Sequence, residues 1–381
     1  MKLLHLADLH LGKSVNDMNM IDDQRYILDQ ILDLVREREI DGVLIAGDVY
    51  DKKIPSEEAV NLLDDFLSRL TTLGTAVYMI SGNHDSDDRL NFGSSLFKKQ
   101  NLYIGARYEG SIPRVTAEDE FGPVHIWMLP FVKASRVAHF LKEADTSTYD
   151  KAVRSAIAEA EVDPQERNVI LAHQYVTAGG DPVFSGSESM APESVGAVEK
   201  VGAACFDDFD YVALGHIHSP QRVGREEVRY AGSPLKYHLS EIHQNKSVPV
   251  VTLLEKGNVT VEKVPLKPRR EMRRIKGKMK DLTDIQNVTD PDDYIYATLT
   301  DEVPIPDAIG KLRNYYNNIM KLDYDNSHTR SLAELDYDKA DMERSFEELI
   351  KDFYRMMNGG KPDEEEMEIL NEAAREAGVI E

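Results

Sequence analysis

Seven residues of the sequence are of the types that hold a hard or borderline metal ion: Asp8, His10, Asp48, Asn83, His173, His216 and His218. Each follows a short aliphatic or β-branched run. Residues 3–7 lead into Asp8-Leu9-His10, 44–47 into Asp48-Val49-Tyr50-Asp51, and 77–81 into Gly82-Asn83-His84-Asp85. Residues 169–172 lead into His173, and 211–214 into Gly215-His216-Ile217-His218. A ligand just past a strand end sits on a rigid sheet edge, where α/β proteins build their sites. The set mixes carboxylate, amide and imidazole and contains no thiolate, which suits Mn, Fe or Zn better than Ca or a structural Zn. Seven ligands exceed the needs of one ion; with one shared carboxylate they suit two. Asp48 is the expected bridge, because it follows the central strand of the first βαβαβ unit. Two ions ~4 Å apart can hold a phosphodiester, lower the pKa of a water and stabilise both entering and leaving oxygens. Phosphoester hydrolysis is the natural reaction.

His84 has a different expected task. With Asn83 turned to a metal, its neighbour faces the substrate, and Asp85 is placed to hold the imidazole in one tautomer and keep it protonated. A charged His84 could stabilise the transition state or protonate the leaving oxygen. Taken singly, these signals are weak. An Asp-x-His pair is a common surface accident, and Gly-Asn-His-Asp reads equally well as an Asn-capped turn. Five such groups in order, each after a buried-strand pattern, carry the dimetal reading. His5 alternates within a strand and belongs to the core. His125, His139, His238, His243 and His328 fall in no pattern.

The elements that must position these residues are legible in the periodicity. Residues 2–7, 42–46 and 76–80 read as buried strands. Between them, Leu28, Ile31, Leu32 and Val35 mark a helix over about 22–39, and Ala59, Leu62, Leu63, Phe66, Leu67 and Leu70 mark one opening at Pro55-Ser56 and ending at Gly74. Strand, helix, strand, helix, strand implies parallel pairing with right-handed crossovers. A helix is expected over 89–99, a strand over 124–129, a helix over 148–160 and a strand over 168–172. The Gly-, Ser- and Pro-rich stretch 174–192 is long for a plain connector and reads as a functional loop. Strands over 211–214, 228–230, 248–254 and 259–264 close the first domain before Pro265 and Pro268. Residues of about 270–335 mix a strand (294–298) with a helix (308–316), a small α/β appendage. From Ala340, Met342, Phe346, Leu349, Ile350, Phe353 and Met357 line one helix that ends at Gly359-Gly360. A second helix starts near Pro362, with Met367, Leu370, Ala374 and Ala377 as its weaker stripe. A two-helix hairpin cannot bury that surface alone, so it packs on the body or on another chain.

The chain of 381 residues has room for two or three domains and carries a net charge of −23, which excludes a basic polyanion binder. The charge is uneven: residues 281–381 hold 26 acidic and 10 basic residues, whereas 263–280 hold 9 basic and 1 acidic. The basic run 269–280 reads either as a solvated linker balancing nearby acids or as a phosphate-backbone contact. Cys205, the one cysteine, cannot form an internal disulfide, which fits a reducing compartment. Asp8 interrupts the N-terminal apolar run too early for a signal peptide, and no stretch approaches the ~20 apolar residues of a membrane span. A soluble cytoplasmic protein with no membrane partner is expected.

The ordered set Asp8-x-His10, Gly47-Asp48-x-x-Asp51, Gly82-Asn83-His84-Asp85, His173 and Gly215-His216-x-His218 resembles the calcineurin-like metallophosphoesterase superfamily. Residues 4–12 and Ala231-Gly232-Ser233-Pro234-Leu235-Lys236-Tyr237, with the tail around Phe346, Phe353-Tyr354 and Gly359, resemble one branch of it, the bacterial SbcD nuclease subunits. The resemblance implies an α/β protein: a two-sheet β-sandwich metallophosphoesterase core flanked by helices (1–267), a small capping domain (268–336) and a C-terminal helical hairpin that binds a partner (337–381). It implies that Asp8, His10, Asp48 and His218 hold one metal and that Asp48, Asn83, His173 and His216 hold the other. His84 would be the catalytic histidine and Asp85 its orienter. The implied cofactors are two Mn2+, with Fe2+ or Zn2+ as alternatives. The implied function is double-strand exonuclease and hairpin or single-strand endonuclease activity in DNA repair and recombination. The implied partners are double-stranded DNA ends and hairpins, an SbcC-type ATPase bound through about 340–377, and a second copy of the chain bound through about 57–100. Asp51 departs from archaeal and eukaryotic relatives, which tend to carry His there, and fits the bacterial branch.

Two other functions compete. A stand-alone phosphoesterase acting on a nucleotide or phosphoprotein would need no apolar helical tail. A DNA-binding scaffold that has lost its chemistry would not keep the ligands and His84 intact.

Overall fold

The computed structural model describes residues 1–185, 200–327 and 362–376, together with Thr329, Glu348, Ile350, Lys351 and Tyr354. His328, Ala377, the 186–192 part of the polar loop, and the expected tail residues Met342, Phe346, Leu349, Phe353, Met357 and Gly359-Gly360 lie outside the described residues. The chain divides into two compact units, Met1–Met272 and Arg273–Glu381.

The first unit is built on two six-stranded sheets. One has the spatial order Val259–Pro265, Ser247–Leu253, Lys2–Leu6, Gly42–Ala46, Ala76–Ile80, Leu102–Gly105. The other runs Gln221–Val223, Arg225–Tyr230, Tyr211–Gly215, Arg167–His173, Gly122–Leu129, Arg114–Asp119. Their inner faces share one core: Leu3, Leu44, Tyr78, Ile80, Val251 and Leu253 from the first sheet meet Val124, Ile126, Met128, Val169, Leu171, Tyr211 and Ala213 from the second. Each such side chain withdrawn from water contributes roughly 1.5–3 kcal/mol, which makes the sandwich a stiff base. The outer face of the second sheet is covered by the helices Ala134–Phe140 and Tyr149–Ala158.

Local sequence accounts for the covering helices. Ile21–Arg38 buries Ile27, Leu28, Ile31, Leu32, Leu34 and Val35 and ends where Glu39 turns left-handed. Glu57–Thr72 starts where the Ser56 hydroxyl accepts the Ala59 N–H at 3.3 Å, and it buries Ala59, Leu62, Leu63, Phe66 and Leu70. The three N-terminal strands pair in parallel, Leu6 beside Ile45 and Ala46 beside Ile80, while Gly215 lies beside His173 in the second sheet. One departure concerns the helix expected over 89–99. Gly93 adopts a left-handed φ of 74° and splits it into the single turns Asp87–Leu90 and Ser94–Phe97.

The second unit holds a three-stranded sheet, Met272–Gly277, Tyr294–Leu299 and Asn318–Tyr324 in that order. Ile295, Ala297, Leu299, Leu312, Tyr316 and Ile319 form its core, with the helix Ala308–Arg313. Part of the basic run is paired with acids. Arg270 meets Asp23 at 2.5 Å, Arg273 meets Asp293 at 2.7 Å, and Lys276 pairs with Asp325. These contacts favour the charge-balancing reading of that stretch. The helix Glu364–Glu376 begins at the expected place and buries Ala374. Among the described residues no helix is long and apolar enough to cross a membrane.

Candidate metal centre

The strands Lys2–Leu6, Gly42–Ala46 and Ala76–Ile80 of one sheet, and Arg167–His173 and Tyr211–Gly215 of the other, deliver their C-terminal ends to one place. The loops there are stitched together by backbone bonds. The Asp8 N–H donates to the Gly47 carbonyl at 3.1 Å, and the His10 N–H donates to the Asp48 carbonyl at 2.9 Å. The two sheets touch where Gly215 passes Ala46: a Cβ at residue 215 would lie 2.0 Å from the Ala46 carbonyl oxygen and 2.7 Å from His173 Nδ1. Four of the seven candidate ligands take backbone angles that side chains seldom adopt, Asp8 (φ 54°), His10 (45°), Asp48 (48°) and His216 (99°). Strain of that kind persists only where the surroundings over-determine it, and it concentrates at functional sites.

All seven side chains converge. Nε2 of His10 and Nε2 of His218 are 3.0 Å apart. Asn83 Oδ1 is 3.0 Å from His173 Nε2 and 3.0 Å from His216 Nδ1. Asp48 Oδ2 lies 3.3 Å from His173 Nε2 and 3.7 Å from His10 Nε2, while its Oδ1 accepts the His84 N–H at 2.8 Å. Asp8 accepts the His216 N–H at 3.0 Å. The metal-ligating atoms of Asp8, His10 and His218 lie within 4.8 Å of one another, as do those of Asp8, Asp48 and His173. Four imidazoles, two carboxylates and an amide oxygen fit divalent cations of borderline character. Asp8, His10, Asp48, His173 and His218 are almost wholly buried.

The protonation tendencies show how closely these charges are packed. Burial pushes the Asp8 carboxyl up to about 6. Burial works the same way on Asp48, but His173 and His10 outweigh it and hold that carboxyl well below the usual range. Burial disfavours the charged form of His173, yet Asp48 and Asp8 lift it to about 9. Burial pushes His216 down to about 3 and His10 well below its ordinary value. A cluster of this many competing charges is one that a cation would settle.

Asp85, the expected orienter of His84, has three backbone partners. Its oxygens accept the N–H groups of Val49 (3.1 Å), Tyr50 (2.9 Å) and Gly82 (2.9 Å), and so pin the Asp48 loop to the Asn83 loop. His84 Nδ1 lies 3.0 Å from the backbone carbonyl oxygen of Asp51.

Comparison with known proteins agrees with this geometry. Residues 1–220 match the family model of the calcineurin-like phosphoesterases, and residues 268–358 match the SbcD_C model, described as the type 5 capsule protein repressor C-terminal domain. The SbcD component of the nuclease SbcCD from Staphylococcus epidermidis is 33% identical over 364 residues, covering 94% of this chain and 93% of the relative. The chain belongs to the SbcD family of calcineurin-like phosphoesterases. Among solved structures, a dimetal phosphatase from Danio rerio aligns with a TM-score of 0.41 at 13% identity, over 70% of this chain and 96% of that one. A psychrophilic beta-glucosidase from Micrococcus antarcticus aligns at 0.21 and 12%, over 85% of this chain and 83% of that one. Neither alignment bears on the site.

Several residues of this SbcD-family centre escaped the sequence reading. Gln24, on the first helix, donates to the His10 carbonyl at 2.7 Å, and Tyr237 donates to the Leu9 carbonyl at 2.6 Å. Glu241 and Lys246 are buried next to His218. Tyr237 lies in the motif that carries the family resemblance, which is the one signal that could have pointed to it. Glu241 and Lys246 sit in a polar stretch that reads as solvated loop.

Proposed function

We propose that this chain is the metal-dependent nuclease component of a two-part DNA-processing complex. It would hydrolyse phosphodiester bonds at double-stranded ends and hairpins with an SbcC-type ATPase as partner. The observation that carries the proposal is the position of Asp48 Oδ2, 3.3 Å from His173 Nε2 and 3.7 Å from His10 Nε2, between two ligand groups. On this reading Asp8, His10, Asp48 and His218 hold one cation, and Asp48, Asn83, His173 and His216 hold the other. Two Mn2+ ions, with Fe2+ or Zn2+ as alternatives, supply when bound the positive charge that a phosphodiester needs in an in-line displacement and the acidity that activates water. The chain's own residues position the groups. Asp85 fixes the loop that carries Asn83 and His84, and the Asp51 carbonyl accepts from His84 Nδ1. His84 would then meet the substrate through its ring and give the leaving oxygen a proton.

The relative's name describes one component of a nuclease, and the match over most of both chains supports carrying that role here. We assign 1–267 to the nuclease domain, 268–336 to a capping domain and 337–381 to partner binding. We also assign a homodimer contact to the segment of about 57–100, where Phe92 and Leu96 stand 82% and 68% exposed. The net charge of −23 favours a second reading, a stand-alone phosphoesterase for a nucleotide or phosphoprotein, because it repels DNA.

The deciding experiment is a manganese-supplemented nuclease assay on linear and hairpin double-stranded DNA, with the wild type and His84→Ala, with and without an SbcC-type ATPase. Manganese-dependent cutting that is lost in the variant and made ATP-dependent by the partner is the expected result. Rapid hydrolysis of small phosphodiesters with no DNA cutting in either condition would establish the stand-alone enzyme instead.

A further inference from the structure

The two histidines on one side of the centre share a feature that His173, across from them, lacks. His10 and His218 turn Nε2 toward each other, so the Nδ1 of each ring faces away from the centre. Behind His10 Nδ1 lies Asp51 Oδ1 at 3.5 Å, and Lys13 Nζ is 2.6 Å from that same oxygen. Behind His218 Nδ1 lies Glu241 Oε1 at 3.9 Å, and Lys246 Nζ is 2.5 Å from Glu241 Oε2. Lys246 also holds the backbone that carries the ring. Its Nζ donates to the His218 carbonyl at 2.9 Å and to Ser233 Oγ at 2.9 Å. Across the centre, His173 Nδ1 donates to a neutral backbone carbonyl, that of Ala46, at 2.8 Å.

A carboxylate behind a ligating imidazole fixes the ring's rotation and raises its basicity. A lysine on the far side of the carboxylate holds it in place and offsets its charge. The pair Glu241–Lys246 is almost wholly buried, and taking two charges out of water is costly unless further contacts compensate. Two separate Lys–carboxylate–His chains, drawn from four different loops, end on the two histidines of one ligand group.

We propose that Asp51 and Glu241 are positioning residues for that group. Each, anchored by its lysine, sets one histidine ring and makes the cation site of Asp8, His10 and His218 the tighter of the two. This rests on the metal-centre reading given above.

The test is calorimetric titration of metal-free full-length protein with Mn2+, for the wild type, Asp51→Asn and Glu241→Gln. Electron paramagnetic resonance at two equivalents reports whether the two ions are spin-coupled. The wild type is expected to show two binding classes and a coupled pair. Each variant should weaken the tighter class by about 10- to 100-fold and leave the weaker class in place. Glu241→Gln strands the Lys246 charge, so the double variant Glu241→Gln/Lys246→Met is titrated beside it. Wild-type melting with the tight class still lost in the double variant would confirm a positioning role. Unchanged affinities, or equal weakening of both classes, would overturn the proposal. A wild type that binds no Mn2+ would overturn the metal-centre reading and this inference with it.

Discussion

Asp48, at the end of one sheet, presents Oδ2 to Nε2 of His173, at the end of the other, across 3.3 Å. The same oxygen is 3.7 Å from His10 Nε2, so one carboxylate reaches both halves of the centre. Asp48→Asn keeps the shape and removes the charge. The variant is expected to bind less than one Mn2+ per chain by elemental analysis after gel filtration. Its hydrolysis of a simple phosphodiester should fall about 10³-fold or more, since the loss of charge stabilisation amounts to several kcal/mol. Full metal content in the variant would remove Asp48 from the bridging position.

On the proposed reading, His84 separates chemistry from metal binding. It contributes its backbone N–H to Asp48 at 2.8 Å, which any residue can do, while its ring faces the Asp51 carbonyl. His84→Gln should therefore keep the wild-type metal stoichiometry and lower kcat by about 10²- to 10⁴-fold, the range for a lost general acid. A variant that loses metal along with activity would make the ring a ligand.

The contact of Gly215 with Ala46 sets the spacing of the two sheets at the centre. A methyl group at 215 would sit 2.0 Å from a backbone oxygen that cannot swing aside. Gly215→Ala is expected to cost about 1–3 kcal/mol in urea unfolding and to reduce Mn2+ binding through displacement of His173. Gly180→Ala, with nothing within 4 Å, is the control and should stay within about 0.5 kcal/mol of wild type.

Much of this site was legible because each ligand follows a strand that is buried over all or nearly all of its length. The apolar run of 42–46 has its outer limits at Gly42 and Ala46, which are the observed limits of the strand. Parallel neighbours could be ordered from the alternation of strands and helices, but Ser247–Leu253 could not. It pairs antiparallel with Lys2–Leu6 from the far end of the unit, and nothing local announces that partnership. The expected helix over 89–99 failed on the backbone of one glycine, which periodicity does not weigh. The Asp85 carboxylate also accepts from amides of the loop after Asp48, more than thirty residues earlier, and adjacency in the chain does not announce those partners. Glu241 and Lys246 were missed because a buried ion pair and a solvated one have the same letters. Only tertiary burial tells them apart.

The exposed pair Phe92 and Leu96 gives the homodimer assignment a direct check. Large apolar side chains 82% and 68% exposed on neighbouring turns form the kind of patch that a second copy covers. Phe92→Asp with Leu96→Asp should convert a dimer into a monomer in analytical ultracentrifugation and leave the phosphodiesterase activity of each chain and its metal content unchanged. A wild type that sediments as a monomer at tens of micromolar would dismiss the assignment.

A second charge cluster lies outside the candidate metal centre. Asp119 receives the Arg167 guanidinium at 2.5 and 3.1 Å and the N-terminal ammonium of Met1 at 2.7 Å. Arg167 is 4% exposed and also donates to the carbonyls of Leu254 and Pro123, so it ties the second sheet to the strand that lies beside the N-terminus. The Arg167 guanidinium holds the Asp119 carboxyl well below the usual carboxylate range. A depressed folded pKa means that the unfolded chain takes up the proton first. The stabilisation is therefore fully present above the unfolded value of about 4 and is lost as pH falls below it toward the folded value. Asp119→Asn should destabilise the protein by about 1–3 kcal/mol at pH 7, since it leaves a buried guanidinium short of its counter-charge. Urea midpoints measured at pH 7, 5, 4 and 3 should show a constant gap between wild type and variant down to pH 5 and a narrowing gap below 4. A gap that stays constant to pH 3 would show that the carboxylate's charge is not what holds this edge of the sandwich.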